Sequence, residues 1–104
     1  MKIAICDDCP ADRKKLKSLI LESAKHPEEI GFDEFPDGKA LLEQDQRYNI
    51  IFLDILIGGE KEGVRTAAYI RQRDENALLV FYTAYDYPAS SIVEVRPFQY
   101  LIKD

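Results

Sequence analysis

Asp7 and Asp8 stand side by side in "AICDDCPADR", residues 4–13, directly after an apolar run. Adjacent like charges repel, and the end of a buried strand is a costly place to hold two acids. A third carboxylate, Asp54, closes the apolar run "IIFLDI", residues 50–55. Thr83 and Ala84 close another in "FYTAY", and Lys103 ends the run in "YLIKD". Three close carboxylates resist ionising together. A hard divalent cation resolves that conflict, and Mg²⁺ takes oxygen ligands in an octahedron while keeping some of its waters. The other groups point to what such a cation helps to bind. Lys103 is a point charge suited to phosphoryl oxygens, and Thr83 can donate a hydrogen bond to one. Asp54 can act as a nucleophile and form an aspartyl phosphate, with Mg²⁺ neutralising charge during in-line transfer.

These residues can meet only if the chain delivers them to one place. Strand-like runs alternate with helix-like runs: strands over 2–6, 29–35 (an edge strand), 48–55, 77–84 and 98–103, and helices over 10–25, 37–44, 63–73 and 87–95. Pro10 suits the first position of a helix, and Leu16, Leu19 and Ile20 share one face. The continuous apolar run at 48–55 predicts a central strand buried on both faces. "GGEKEG", 58–63, reads as a loop. Regular alternation predicts an α/β fold: a doubly wound five-stranded parallel sheet with helices on both faces. Ligands of such sheets bind outside the carboxyl ends of the strands, at the topological switch point. Asp7, Asp8, Asp54, Thr83 and Lys103 all fall at those ends. The chain stops at Asp104, straight after the fifth strand, where a covering helix is expected. A fragment of a longer protein or a partner that covers this face accounts for that.

Composition excludes other classes. With 104 residues the chain holds one domain, and its net charge of −5, from 19 acids against 14 bases, gives no basic face for nucleic acid. No apolar stretch approaches the roughly 20 residues of a membrane span, and "MKIAICDD" lacks the apolar core of a signal peptide, so a cytoplasmic location is expected. Cys6 and Cys9 form a C-x-x-C, but the lone His26 cannot complete a zinc site. Cys6 therefore reads as a small buried hydrophobe and His26 as a solvated loop residue.

The pieces "ICDD", "IIFLDI", "FYTAY" and "FQYLIK", in that order and spread over nearly the whole chain, resemble the receiver domain of two-component response regulators. The resemblance implies the flavodoxin-like receiver fold with strand order 2-1-3-4-5 over residues 1–104, without its final helix. It implies that Asp54 is the phosphoacceptor and that Asp7 and Asp8 are the acidic metal-binding pair. Mg²⁺ would be held by Asp8, Asp54 and the Leu56 carbonyl, with Asp7 acting through water. Thr83, with Ala84 beside it, and Lys103 would contact the phosphoryl group, and Tyr100 would be the aromatic switch. It also implies a sensor histidine kinase as donor, no enzymatic role beyond self-phosphorylation and autodephosphorylation, and a possible homodimer through the face near residues 86–103. The stretch from Thr83 to Lys103 is especially similar to receivers attached to LytTR-type DNA-binding domains, which implies transcription control through an output domain outside this chain. Three features depart from the family pattern: Asp104 and Gly58 stand where prolines are usual, and the fifth helix is missing.

Rival readings fit less well. A haloacid-dehalogenase-like phosphatase needs a second acid two residues after its nucleophile, and that position is Leu56. A flavodoxin-like electron carrier needs a phosphate-cradling first loop, and "CDDCPAD" would repel one. A receiver that acts only as a phosphorylation-independent interaction module is the remaining alternative.

Overall fold

The computed structural model describes residues 1–54, 57, 60–84, 96–97 and 99–103. In chain order they form β1 (Lys2–Cys6), α1 (Pro10–Ser23), a 3₁₀ turn (Pro27–Glu29), β2 (Gly31–Phe35), α2 (Gly38–Glu43), β3 (Ile50–Leu53), α3 (Glu60–Arg73), β4 (Leu78–Thr83) and β5 (Gln99–Ile102). The strands make one parallel sheet in the order β2-β1-β3-β4-β5, as expected. The expected helix at 87–95 lies outside the described residues, as do Leu56, Asp104 and most of the proposed dimer face.

Local chemistry sets the boundaries. Pro10 opens α1, where a missing N–H costs nothing. The helix ends at Ser23 rather than residue 25, because Ala24 is extended and turns its N–H back to the Leu21 carbonyl. Pro27 then starts the 3₁₀ turn, so β2 begins at Gly31 instead of 29. The Asp37 carboxylate caps α2 by accepting the Ala40 N–H at 2.8 Å. Tyr48 is not in β3. It is buried just before that strand, and its hydroxyl donates to Asp33 Oδ2 at 2.6 Å.

The loop expected over 58–63 is a correction: α3 begins at Glu60. Gly63 is buried and continues the face of Ala67 and Ile70 at spacings of four and three, so packing outweighs the low helix propensity of glycine. Helix α2 lies tight against this helix, since a Cβ on Gly38 would collide with the Thr66 side chain.

The sheet has two unequal faces. Under α2 and α3, Ala4, Cys6, Ile51, Leu53, Leu79 and Phe81 join Leu41, Ala67 and Ile70 in a continuous core. On the α1 face, among the described residues, Ile3, Ile5 and Leu16 form a smaller buried cluster, and Ile50, Phe52 and Tyr82 are half-buried. The strand expected to be buried on both faces, β3, is therefore buried on one face and half-covered on the other. An apolar groove runs beside α1, lined by Leu16, Leu19, Ile20, Phe52, Tyr82 and Leu101.

Candidate functional site

Asp7, Asp54 and Lys103 each follow directly on the last ladder position of a strand, held by one further backbone bond. The Asp7 N–H donates to the Phe35 carbonyl at 3.0 Å, the Asp54 N–H to the Cys6 carbonyl at 3.0 Å, and the Lys103 N–H to the Thr83 carbonyl at 2.6 Å. Parallel pairing thus brings residues distant in sequence to one edge of the sheet. Carboxylate oxygens of Asp7, Asp8 and Asp54 lie within 4.8 Å of one another. Asp7 is buried, Asp54 half-buried and Asp8 exposed.

Lys103 enters the same cluster. Its Nζ donates to Asp7 Oδ2 at 2.6 Å, to Asp12 Oδ2 at 2.9 Å and to Asp54 Oδ2 at 3.1 Å. It also lies 5.6 Å from the centre of the Tyr82 ring. Burial acts to lower the lysine pKa, but the hydrogen bonds to Asp7, Asp12 and Asp54 outweigh it and hold the ammonium above its usual range. Burial pushes the Asp7 carboxyl above the usual carboxylate range against the pull of Lys103 and of the Cys9 N–H, which donates to Asp7 Oδ1 at 2.9 Å. Arg13 braces the loop from outside, donating from Nη1 to the Asp7 carbonyl at 2.6 Å and from Nε to Glu34 at 3.1 Å.

Asp12 is the member that sequence reasoning missed. It occupies the first turn of α1, where an acid is already favoured by the helix dipole, and this masked its second role. The available signal was its place in the first turn of the helix that Pro10 opens straight after the acid pair. Lys103, chiefly, and also the Cys9 thiol hydrogen-bond its carboxylate and hold it below the usual range.

Thr83 ends β4 fully buried, and its hydroxyl has no hydrogen-bond partner among the described residues. Such a group carries a desolvation cost until something accepts or donates to it. Ala84 follows it as an exposed bend. Tyr100 sits in β5 opposite Phe81, with its side chain outside the described set, and Leu56 is outside it altogether. Cys6 is sealed in the core, its thiol pushed up to about 12 by burial and then by Asp37, Asp7 and Asp54. Both cysteines are free, and His26 is exposed.

The donor set fits a hard divalent cation. All of its groups are carboxylates, their oxygens are within reach of one another, and the acids exceed the charge that Lys103 balances. Lys103 already offsets part of the repulsion that the sequence reading assigned to a cation alone.

No protein-family model matches the chain. The response regulatory domain of protein mrkE from Klebsiella pneumoniae superposes with a TM-score of 0.82 at 30% identity, over 99% of this chain and 83% of that one. The chain belongs to the response regulator receiver domains. This receiver is also 32% identical, over 99% of its length, to a "Sensory transduction protein LytR" of Streptococcus mutans, of which it spans 42%. The response regulator TrrA of Thermotoga maritima, solved with Mg²⁺ and a beryllium fluoride, matches at a TM-score of 0.81 and 26% identity, over 99% of this chain and 86% of that one. The same regulator in complex with the histidine kinase ThkA gives 0.76 and 27%, covering 99% and 85%. Among the described residues, no helix is long and apolar enough to cross a membrane.

Proposed function

We propose that this receiver is a phosphorylation switch in which Asp54 accepts a phosphoryl group from the phosphohistidine of a sensor kinase. A carboxylate oxygen of Asp54 attacks phosphorus, the P–N bond breaks, and its electron pair returns to the imidazole of the donor. The single observation that carries this reading is the Asp54 carboxylate held 3.1 Å from Lys103 within a cluster of carboxylates at the strand ends. Asp7, Asp8 and Asp54 would hold Mg²⁺, with the Leu56 carbonyl as a further ligand. When bound, that ion supplies neutralisation of charge on the transferring group. Lys103 pairs with the new phosphoryl oxygens, and the unpartnered Thr83 hydroxyl gains an acceptor. Thr83 moving toward that acceptor, with Ala84 beside it, lets Tyr100 turn inward and remodels the surface around residues 86–103. The modification biases a two-state equilibrium and its slow hydrolysis resets it, so the chain acts on no separate substrate.

The kinase partner is supported by the solved complex of TrrA with ThkA. The chain spans 42% of its LytR relative, which supports an output region outside residues 1–104, here taken to be a LytTR-type DNA-binding domain. Such a switch works in the cytoplasm, where kinases draw on ATP. We also assign a fifth helix, following Asp104, to the apolar groove beside α1.

Intact mass after incubation with acetyl phosphate tests the core of this reading. The expected result is a gain of one phosphoryl group that requires Mg²⁺, is abolished by a chelator and is absent in Asp54→Asn. Retained labelling of Asp54→Asn, or no gain in folded wild type, overturns it in favour of an interaction module.

A further inference from the structure

An ammonium has three N–H donors. On Lys103 they meet three carboxylates: Asp7, Asp12 and Asp54. These partners are not equivalent. Asp7 and Asp54 belong to the group whose oxygens lie within 4.8 Å of one another, whereas Asp12 does not. The Asp7 side chain is 5% exposed and that of Asp12 is 39%. Asp12 comes from the first turn of α1, not from a strand end, and is steadied by the Cys9 thiol.

A phosphoryl group on Asp54 brings about −1.5 to −2 charges and three acceptor oxygens. Asp54 loses its carboxylate charge as it is modified and so frees one donor of Lys103; for Lys103 to offer a second donor to the phosphoryl oxygens, Asp7 or Asp12 must be released. Asp7 is buried, so water does not replace its bond from Lys103, although the Cys9 N–H stays on its other oxygen. Asp12 is exposed enough to be rehydrated, so it is the partner that can be given up.

We propose that Asp12 is a positioning residue, a latch that holds Lys103 in the unmodified state and opposes its transfer to a phosphoryl group on Asp54. This rests on the phosphoacceptor reading above. An acid placed only to favour the α1 dipole would alter helix stability without changing what Lys103 can bind.

The test is titration of the 104-residue chain with beryllofluoride, a phosphoryl mimic, in Mg²⁺ and followed by fluorine NMR. Wild type, Asp12→Asn and Asp12→Glu are compared, each also in a Lys103→Met background. Asp12→Asn should bind about two- to fivefold more tightly, the range an exposed ion pair carries. Asp12→Glu should return toward wild type, and in Lys103→Met the Asp12→Asn change should have no effect. Unchanged or weaker binding by Asp12→Asn overturns the latch. Equal tightening without Lys103 also overturns it, because Asp12 would then act through its own field. A wild type that does not bind at all removes the phosphoacceptor reading and this inference with it, a result distinct from either.

Discussion

Under α2 and α3 the sheet buries Leu53, Leu79 and Phe81 completely, whereas beside α1 it leaves Leu101 at 36% exposure and Ile50, Phe52 and Tyr82 half-buried. The same strands supply both faces, so the contrast comes from what covers them. Among the described residues, two helices seal one side and a single helix covers part of the other. The sealed side fixes β1, β3 and β4, and hence Asp7, Asp54 and Thr83. The open side carries β5 and the approach to Lys103. The acceptor thus follows the middle strand of the sheet, and the cation that answers it follows an edge strand.

Four substitutions probe that contrast. Phe81→Ala on the sealed side should cost about 3–5 kcal/mol, read from denaturant midpoints at unchanged slope. Gly38→Ala should cost about 1–3 kcal/mol by forcing α2 off Thr66, and Thr66→Ala added to it should recover part of the loss. Leu101→Ser on the open side should stay within about 0.5 kcal/mol. In a longer protein whose following segment covers that face, the same change should cost about 2 kcal/mol or more, and equality between the two proteins would remove the assignment of a fifth helix to the groove.

Strands β1, β3, β4 and β5 were readable because each is a short apolar run closed by a polar residue, and those closing residues are also the site. Asp7, Asp54, Thr83 and Lys103 could be singled out for that reason. The start of α3 was not readable, since Gly58, Gly59 and Gly63 argue locally for a loop and only packing against the core overrides them. The half-covered state of Ile50 and Phe52 was hidden as well, because an apolar run does not reveal how much lies above it. Asp12 escaped notice because one local explanation, the helix dipole, was sufficient on its own.

Cys6 lies in β1 between two neighbouring strands, one residue before Asp7, with none of its surface open to solvent. A thiol reagent reaches it only when those strands part. Where reclosing is fast, its labelling rate divided by that of a free thiol is the equilibrium constant for that opening. The chain therefore carries its own stopwatch beneath the acid pair. Whatever ties Asp7 down more firmly will slow it, and a ligand needs no spectroscopic signal of its own to be detected.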